Sequence, residues 1–584
     1  MSETYRSREK EALEKWMAGQ AAHREQEMQQ IALIPAVYTE EDLETTEIWL
    51  PMRDGAKMKT VIVKPKNADG NNPVPTLLQR TPYGLQGDVM VGTGREFAKR
   101  GLAYIVQCCR GTDGSEGTWE PNVNERNDGI DTLNWMNEQP WIESIGYFGG
   151  SYLALTGWIL MDSLPEKVKA MYLSVYGTDR HTSAYCDGLF RQDILTAWAM
   201  SNAGRPVTAD FVDSALYRPQ AEVDRAMWDA DLPWYRDWIT HTDRSDPYWA
   251  EGFWALLKEM PQHVRIPLVI EEGWYDHHLG SALSGYRSMS GESLSHTLFR
   301  IGAWNHGSGP VLDGHHCEDL RNWSFRPVYE FMKKVLIDHE TPGTGVLLYN
   351  IGEDRWLEAP EWPVPEKEMK LYLSAGSPEK SAPAKSGGRR LTKEAPVEQE
   401  MTEYIYDPED PVYSHGAESC FRSQWEVGSK LQEEPDYRPD VVSFVSEPFA
   451  EPVRIAGRIK AKLFVSSDAE DTAFAVRISE VFPDGRAFNI RSGITTLGYR
   501  GHSDARQAYT PGEVVEAEVD TWDILWTVGA GSRLRIDITS SDFPQYAVHP
   551  NYPGVWALQD KTKPARQTIC SGGDTPSAVV LPVK

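Results

Sequence analysis

The sequence predicts an α/β domain followed by an all-β domain, because the hydrophobic pattern changes along the chain. From about residue 46, short apolar runs such as 76–80 and 103–108 alternate with helical segments, which is typical of a parallel sheet. After a Pro- and Gly-rich link at 341–345, helical periodicity stops and short alternating runs continue to the C-terminus, as half-buried strands of a sandwich do. A chain of 584 residues is also too long for one hydrophobic core.

Four regions are expected along the chain. Residues 1–45 form an N-terminal helical extension, because residues 8–33 mix charged and apolar side chains with one glycine and no proline. The α/β domain comprises 46–181 and 263–342, and it opens with a hairpin whose turn is Asp54-Gly55. Residues 182–262 form an insert, and residues 343–584 form the β domain. Further elements of the α/β domain are predicted as helices at 95–100 and 127–138 and strands at 145–148, 170–176, 268–273 and 297–302.

The insert at 182–262 is predicted to be a helical cap. The strand signal disappears there, tryptophans are frequent, and apolar residues such as Ile194, Leu195 and Trp198 recur at helical spacing. A cap over the carboxyl edge of a sheet usually forms a wall of the substrate pocket. Most of its tryptophans are expected simply to pack the cap, and Trp198 is a candidate for contact with substrate.

Charge and composition exclude several classes of partner. Lys and Arg number 59 against 86 Asp and Glu, so the net charge of -27 argues against a nucleic acid or an anionic membrane.

The six cysteines are scattered without a C-x-x-C pair, which predicts free thiols. Without a signal peptide or a membrane-spanning run, a cytoplasmic location is expected. No dinucleotide fingerprint occurs, so no cofactor is expected. The N-terminal extension is equally consistent with an arm of a homo-oligomer and with a helix on its own domain.

Ser151 is the candidate nucleophile. A short apolar strand at 145–148 meets Gly149, Gly150 and Ser151, and an apolar helical run follows, which is the pattern of a nucleophile elbow. Such a turn strains the backbone of the serine and exposes its hydroxyl at the edge of a sheet. The segment departs from G-x-S-x-G, since Leu153 stands where the last glycine is expected. On this pattern alone, an ordinary turn is the alternative.

Asp276 and His306 supply the partners that such a serine needs. Each follows the end of a predicted strand, and they come after Ser151 in the order serine, acid, histidine that is typical of an α/β-hydrolase. His306 can accept the serine proton while Asp276 orients the imidazole. His277 and His278 are alternative bases, and we expect them, with Trp198 and Trp274, to lie at the substrate pocket. As a pair they suit a metal, but nothing nearby completes a carboxylate or cysteine set, so no metal is expected.

These segments resemble the cocaine esterase and X-prolyl dipeptidyl peptidase group of serine hydrolases, which includes the α-amino acid ester hydrolases and glutaryl acylases. The resemblance rests on segments that begin at Pro51, Arg80, Arg110, Gly149, Gly273 and Gly302, and in the C-terminal region at Asp468, Pro483 and Ser540. It implies an α/β-hydrolase domain and a β jelly-roll domain. It also implies that the Tyr83 hydroxyl and the Tyr152 N–H form an oxyanion hole.

The activity that the resemblance implies is hydrolysis of a carboxylic ester through an acyl-enzyme. The aromatic cap favours an apolar or aromatic acyl group. Two alternatives remain open: an amide or peptide hydrolase that uses the same triad, and a non-catalytic binding protein with a hydrolase fold. The last is disfavoured because Ser151, Asp276 and His306 are all present. Without the resemblance, Tyr83 would be interpreted as a core aromatic.

Overall fold

The structure is a computed structural model that describes residues 25, 28–87, 89–306, 312–313, 325–363, 367–376, 388–416, 418 and 427–584. Residues 1–24 of the predicted N-terminal extension lie outside the described residues, and 28–32 are helical.

A mixed sheet organises the first part of the chain. Its central strands are parallel and almost wholly buried, which explains why they appear in the sequence as short continuous apolar runs. In the described residues the order is β1-β2-β4-β3-β5-β6-β9-β10-β11-β12, with β7 and β8 forming a separate small hairpin. The strands are β1 Leu43–Pro51, β2 Lys57–Pro65, β3 Val74–Thr81, β4 Ala103–Cys108, β5 Ile142–Gly150, β6 Val168–Ser174, β7 Tyr185–Cys186, β8 Leu189–Phe190, β9 Leu268–Gly273, β10 Thr297–Gly302, β11 Gly345–Asn350 and β12 Arg355–Ala359.

Helices connect these strands and cover the sheet. Those with assigned bounds in the described residues are α1 Val89–Lys99, α2 Glu125–Glu138, α3 Tyr152–Trp158, α4 Arg180–Ala184, α5 Gln192–Ser201, α6 Phe211–Leu216, α7 Val223–Ala226, α8 Pro233–Thr240, α9 Pro247–Ala250, α10 Gly252–Glu259, α11 Leu279–Ser288, α12 Gly291–Leu294 and α13 Phe325–Met332, with a π-helical turn at Lys333–Ile337. Short 3₁₀ turns lie at Glu40–Asp42, Gln220–Glu222, Met260–His263, Leu497–Tyr499 and Trp556–Leu558. Every helix in the described ranges is too short or too polar to cross a membrane.

The sheet extends further along the chain than the sequence predicts. The sequence predicts that the apolar run at 346–350 belongs to the C-terminal domain, but β11 pairs in parallel with β10, and β12 pairs antiparallel with β11. A short apolar run shows that a strand is present, but it does not show which of two neighbouring sheets the strand joins. The first sheet therefore ends at β12, Arg355–Ala359.

The segment between β6 and β9 is an insert of short helices, as the sequence predicts in outline. It contains α4 to α10 and the two-residue strands β7 and β8, which the sequence does not indicate. Its tryptophans pack mainly on one another, for example Trp198 with Trp234 and Trp238 at ring-centroid distances of 5.7 Å each. This packing fits the expectation that most of them stabilise the insert.

The C-terminal region is all β. Its longest strand, β17, alternates buried with half-buried residues over most of its length, which is the pattern of a strand with one solvated face. Eleven strands pair within the described residues, in the order β15-β22-β17-β23-β13-β14-β16-β21-β18-β19, and β20 also pairs with β17. They are β13 Lys367–Ser374, β14 Arg390–Thr392, β15 Glu400–Tyr406, β16 Val442–Ser446, β17 Val453–Ser467, β18 Ala473–Val481, β19 Ala487–Thr496, β20 Val515–Val528, β21 Arg533–Thr539, β22 Ala565–Ser571 and β23 Ala578–Val583.

The described cysteines carry free thiols, as the sequence predicts. Cys108, Cys109 and Cys570 are buried and Cys186 is half-buried, whereas Cys317 and Cys420 lie outside the described residues.

The helical insert is fastened to the C-terminal domain. The Asp193 N–H donates to the Pro544 carbonyl at 2.8 Å, and the Ala547 N–H donates to the Phe190 carbonyl at 2.8 Å. His502 of the C-terminal domain pairs with Asp187 of the β7–β8 turn, with 2.9 Å between Nδ1 and Oδ2. Its Nε2 lies 3.6 Å from a carboxylate oxygen of Asp520. Hydrogen bonds to Asp187 and Asp520 raise the pKa of His502 to about 10.

This ion pair predicts a specific dependence of stability on pH. The folded pKa of His502 lies above the unfolded value of about 6.5. Its contribution to the free energy of unfolding is therefore complete below about pH 6.5 and is lost as the pH rises towards about 10. We expect His502→Gln to melt at a lower temperature than the parent at pH 6.5, with a smaller difference at pH 10.

The exposed residue His263 provides the control, since His263→Gln should melt like the parent at both pH values. A difference between parent and His502→Gln that does not shrink between pH 6.5 and 10 would show that the charge of His502 does not hold the insert.

Candidate active site

Ser151 lies in a strained turn between β5 and α3, as the elbow pattern predicts. Its φ of 57° and ψ of -128° are rare for a residue with a side chain. The Ser151 N–H donates to the Ser174 carbonyl at the end of β6, at 3.0 Å, which fixes the turn against the neighbouring strand. A Cβ on Gly149 would lie 2.4 Å from the Leu153 carbonyl oxygen, so only glycine fits there. A Cβ on Gly149 would also lie 2.7 Å from the Cβ of Leu153, so the side chain at 153 requires glycine at 149.

Asp276 and His306 come together as predicted, because β9 and β10 are adjacent parallel strands with Gly273 opposite Gly302. Both side chains follow the carboxyl ends of these strands. Asp276 is fully buried, and its Oδ2 accepts a hydrogen bond from His306 Nδ1 at 2.7 Å. Its Oδ1 accepts from the His278 N–H at 2.6 Å. With its proton on Nδ1, the imidazole of His306 keeps Nε2 as a proton acceptor.

Trp304 packs between the loop that follows β9 and the loop that follows β10. This packing explains why both strands end in a glycine, Gly273 and Gly302. A Cβ on Gly273 would lie 2.1 Å from the Trp304 carbonyl oxygen, and one on Gly302 would lie 2.0 Å from its ring. The Tyr275 N–H also donates to the Trp304 carbonyl at 3.1 Å. The sequence shows these residues only as a motif, and their packing role emerges from the fold.

Ser151 and His306 line one pocket at the carboxyl edge of the sheet, with a cavity volume of about 40 Å³. Helices of the insert contribute part of its wall. The lining residues are Tyr83, Asn122, Ser151, Tyr152, Tyr176, Arg180, Ile194, Leu195, Trp198, Trp238, His277, His278 and His306.

Tyr83 lies in the pocket and is not a core aromatic, since 37% of its surface is exposed. Its hydroxyl oxygen accepts a hydrogen bond from Trp198 Nε1 at 3.1 Å. An indole N–H is only a donor, so it occupies an acceptor position of the phenol and leaves the phenol hydrogen directed elsewhere. Its ring packs edge-on against Tyr152, with centroids 6.3 Å apart.

The phenol of Tyr152 is hydrogen-bonded within the protein, whereas its backbone N–H has no partner within its own helix. As the first residue of α3, it has an N–H without an acceptor inside the helix. Its buried hydroxyl donates to Glu125 Oε1 at 2.9 Å and accepts from the Asn122 N–H at 2.8 Å. The ring stacks on Trp198, with an interplanar angle of 6°. These contacts fix the first turn of the helix that follows Ser151.

His277 and His278 line the pocket as predicted, but they are buried in its wall. Burial lowers the pKa of both rings well below the ordinary histidine value, so both are neutral at pH 7. His278 Nδ1 lies 2.8 Å from the Ser183 hydroxyl. The two rings therefore add no positive charge to the pocket.

Trp274 does not lie at the pocket, contrary to the sequence prediction. It is fully buried, its Nε1 donates to the Tyr349 carbonyl at 2.8 Å, and its ring packs against Trp362. Adjacent residues in the tight turn after β9 point in different directions. Asp276 thus faces His306 while Trp274 packs towards β11.

A potential metal-ligand set exists that the sequence does not reveal. Ligand atoms of Asp276, His277 and His306 lie within 4.8 Å of one another. The sequence places His277 next to His278, whereas the fold brings His277 together with the two triad candidates. Two histidines and one carboxylate suit several transition metals.

The fold, together with a serine in a strained turn and a hydrogen-bonded His–Asp pair at the same pocket, is that of a serine hydrolase of the α/β-hydrolase class. Residues 54–308 match the X-Pro dipeptidyl-peptidase (S15 family), and residues 337–580 match the X-Pro dipeptidyl-peptidase C-terminal non-catalytic domain. The chain belongs to this family of hydrolases, and it is an enzyme that cleaves ester or peptide bonds.

Known relatives agree with this assignment. Cocaine esterase from a Rhodococcus species is 29% identical over 581 residues, which cover 92% of this chain and 98% of the esterase. Two solved structures share the fold, and each match covers 94% of this chain and 98% of the other. An aminopeptidase from a marine sediment Thaumarchaeota archaeon has a TM-score of 0.75 at 22% identity. An α-amino acid ester hydrolase has a TM-score of 0.76 at 23% identity.

The metal-ligand set leads to a test with chelators. Asp276 and His306 are already joined by a 2.7 Å hydrogen bond, so a metal ion there would remove the proton acceptor from Ser151. We expect EDTA to leave the rate of ester hydrolysis unchanged and added zinc to inhibit it. His277→Phe should weaken the inhibition by zinc, because it removes one ligand. Loss of activity on chelation that zinc restores would instead assign the metal a role in catalysis.

Proposed function

We propose that the protein hydrolyses carboxylic esters through an acyl-enzyme on Ser151, with His306 as general base and Asp276 as the group that orients His306. The observation that carries this proposal is the 2.7 Å hydrogen bond between His306 and the buried Asp276, beside a pocket lined by both His306 and Ser151. The positive φ of Ser151 is further support, since such strain is found at exposed nucleophiles.

The reaction follows from the positions of these groups. His306 Nε2 takes the hydroxyl proton as the Ser151 Oγ attacks the ester carbonyl, and the same proton then goes to the departing alcohol. Water attacks the acyl-enzyme with His306 again as base, which releases the acid and restores Ser151. Asp276 holds the tautomer and stabilises the imidazolium. Its burial makes this electrostatic contribution larger than it would be in water.

The oxyanion that forms at each tetrahedral stage needs hydrogen-bond donors. We assign this role to the Tyr152 N–H and the Tyr83 hydroxyl. The amide of Tyr152 directly follows the nucleophile, and the phenol of Tyr83 is polarised by the hydrogen bond that it accepts from Trp198. Donors fixed before the reaction stabilise developing charge without the cost of reorganisation.

An amide or peptide hydrolase of the dipeptidyl-peptidase or acylase type is the second candidate. The family match and the shared fold of the archaeal aminopeptidase favour it, and the same three residues would serve. Recognition of a free N-terminus requires an anionic group, however, and none of the residues that line the described pocket is Asp or Glu. The 29% identity to cocaine esterase favours ester cleavage. A non-catalytic binding role is disfavoured, because the candidate triad is complete.

The lining of the substrate pocket favours an apolar acyl group. Ile194, Leu195, Trp198 and Trp238 give it an apolar wall, which supports an apolar acyl chain. Trp198 and Trp238 are aromatic residues of this wall, and aromatic rings pack well on one another. We therefore propose an apolar or aromatic acyl group.

The insert provides the apolar wall of the pocket, which supports a role for it in binding the substrate. We propose that residues 182–262 act as a cap that encloses the acyl group, on an α/β-hydrolase domain of residues 46–181 and 263 to the end of β12, which is later than the predicted end at residue 342. For the C-terminal domain we propose a jelly-roll sandwich, which the alternating burial of β17 supports. Its start is better placed after β12 than at residue 343, because β11 and β12 pair with the first sheet.

Removal of the nucleophile is the direct test. We expect Ser151→Ala to fold like the parent and to lose ester hydrolysis by at least about a thousandfold, because members of a triad act as a unit. A fluorophosphonate probe should label the parent at Ser151, as located by peptide mass spectrometry. Ser201→Ala, an exposed serine on α5, should keep both activity and labelling. Full activity of Ser151→Ala, or labelling at another residue, would overturn the mechanism.

Tyr83→Phe tests the oxyanion hole. The change keeps the ring and removes one donor, so kcat should fall by about 100- to 1000-fold with little change in KM. The measurement is kcat and KM for a simple ester, with the melting temperature to confirm folding. Tyr217→Phe, which changes a phenol outside the pocket, should have the parent's kinetics. A kcat of Tyr83→Phe within about threefold of the parent would remove Tyr83 from the oxyanion hole.

A further inference from the structure

Arg491 is a fully buried arginine of the C-terminal domain. It lies in β19, a strand whose residues are all buried. A guanidinium in such a position must find partners inside the protein, because burying an unpaired charge is costly. Two partners belong to its own domain: Glu418 Oε1 lies 2.6 Å from Nη1, and the Asp523 carbonyl accepts from Nη2. A third partner lies in the other domain, at the candidate active site.

The third partner is the carbonyl of Trp274, in the turn that carries Asp276. Arg491 Nη1 donates to this carbonyl, and the guanidinium lies 5.3 Å from the ring centroid of Tyr275. Trp274 and Tyr275 are the two residues between the end of β9 and Asp276. The C-terminal domain therefore contacts the segment that places the candidate triad acid.

The peptide group between Trp274 and Tyr275 is held on both sides. Its N–H, which is that of Tyr275, donates to the carbonyl of Trp304, in the loop that leads to His306. Its carbonyl accepts from Arg491. Because a peptide group is planar, partners on its two edges together fix its rotation about the chain. That rotation sets the direction in which the chain continues to Asp276.

Arg491 is itself held in place. Glu418 accepts from it with Oε1, and Oε2 of the same carboxylate accepts from Gln545 Nε2 at 3.0 Å. A guanidinium is a rigid planar fork, so partners on two of its nitrogens also fix the direction of its bond to Trp274. A buried ion pair is often no more stabilising than apolar residues of similar volume. Its contribution here is the geometry that it imposes on the turn.

We propose that Arg491 is a positioning residue for the proposed hydrolysis: it fixes the turn before Asp276, so that this carboxylate holds His306 ready to accept the Ser151 proton. The inference rests on the proposed serine mechanism and adds to it a residue of the C-terminal domain. Asp276 orients His306 through a single bond of 2.7 Å between Oδ2 and Nδ1. A displacement of about 1 Å in such a group can lower a rate about a hundredfold.

Arg535 offers a matched control. It is also a buried arginine in a strand of the C-terminal domain, β21. Its Nη2 lies 2.8 Å from the Asp537 carboxylate, and its Nη1 donates to the Glu433 carbonyl at 2.9 Å. These partners belong to the C-terminal domain. Arg491→Met and Arg535→Met therefore each remove a buried ion pair and a bond to a carbonyl, but only the first releases the turn before Asp276.

Steady-state kinetics with a simple ester give the first test. In Arg491→Met, kcat should fall by about 10- to 100-fold with KM within about twofold of the parent, because the turn is displaced and the pocket lining is not. Arg491→Lys keeps the buried charge and offers a donor on a different stem, so it should recover part of the lost kcat. Arg535→Met should melt at a lower temperature than the parent and keep the parent's kcat.

The rate of labelling by a fluorophosphonate probe distinguishes positioning from partial unfolding. In Arg491→Met, every molecule should be labelled at Ser151, with a rate constant lowered by a factor similar to the fall in kcat. Labelling of only a fraction of the molecules, at the parent's rate, would show a loss of folded protein and would overturn the proposal. If Arg491→Met fails to fold, Arg491→Lys takes its place, with a smaller fall expected in both rates.

A double-mutant cycle tests whether Arg491 acts through Asp276. Asp276→Ala alone should lower kcat by about 10⁴-fold. Adding Arg491→Met to Asp276→Ala should cause little further loss, because the group that Arg491 positions is then absent. A loss of the same size in both backgrounds would show that Arg491 acts elsewhere.

The outcomes separate this inference from the proposed function. A kcat of Arg491→Met within about threefold of the parent, or an equal fall in Arg535→Met, would overturn the positioning role and leave the serine mechanism intact. Full activity of Ser151→Ala would instead overturn the proposed function itself.

Discussion

The site depends on one backbone constraint, the positive φ of Ser151 at the end of β5. Two contacts keep the backbone of Ser151 in this conformation. The absence of a side chain at Gly149 allows the Leu153 carbonyl to approach closely, and the Ser151 N–H donates a hydrogen bond to the Ser174 carbonyl. Such strain costs on the order of 1–3 kcal/mol and persists only where packing imposes it. Here it is imposed by the central strands of a buried parallel sheet, the part of the fold that is hardest to deform.

The second constraint is the buried carboxylate of Asp276. A fully buried charge is tolerated only when it is paired and hydrogen-bonded, and Asp276 has His306 on one oxygen and the His278 N–H on the other. The loops that provide these partners are spaced by Trp304, which requires glycine at 273 and 302. The geometry of the candidate site is therefore set by packing behind it as much as by the three side chains themselves.

The sequence alone predicts those site residues that directly follow the end of a strand. Ser151, Asp276 and His306 each follow an apolar strand, and parallel strands bring their carboxyl ends to one edge, so their proximity could be predicted. The direction of the Trp274 side chain and the burial of Arg180 could not be predicted from the sequence. They depend on contacts with residues far along the chain, such as Tyr349 and Trp238. The strand β11 was misplaced for the same reason, since its partner β10 is about fifty residues away.

The C-terminal domain lacks the candidate triad, yet it takes part in shaping the pocket. The helices of the insert are 4 to 10 residues long, below the length at which isolated helices are stable in water. They keep their positions through packing and through fixed contacts with the C-terminal domain. Those contacts include the His502–Asp187 pair, the Arg191 stack on Trp522 and the hydrogen bonds to residues 544 and 547. Since Arg180 and Trp198 belong to this insert, the polarity of the pocket and the hydrogen bond to Tyr83 depend on a domain that provides no candidate catalytic group.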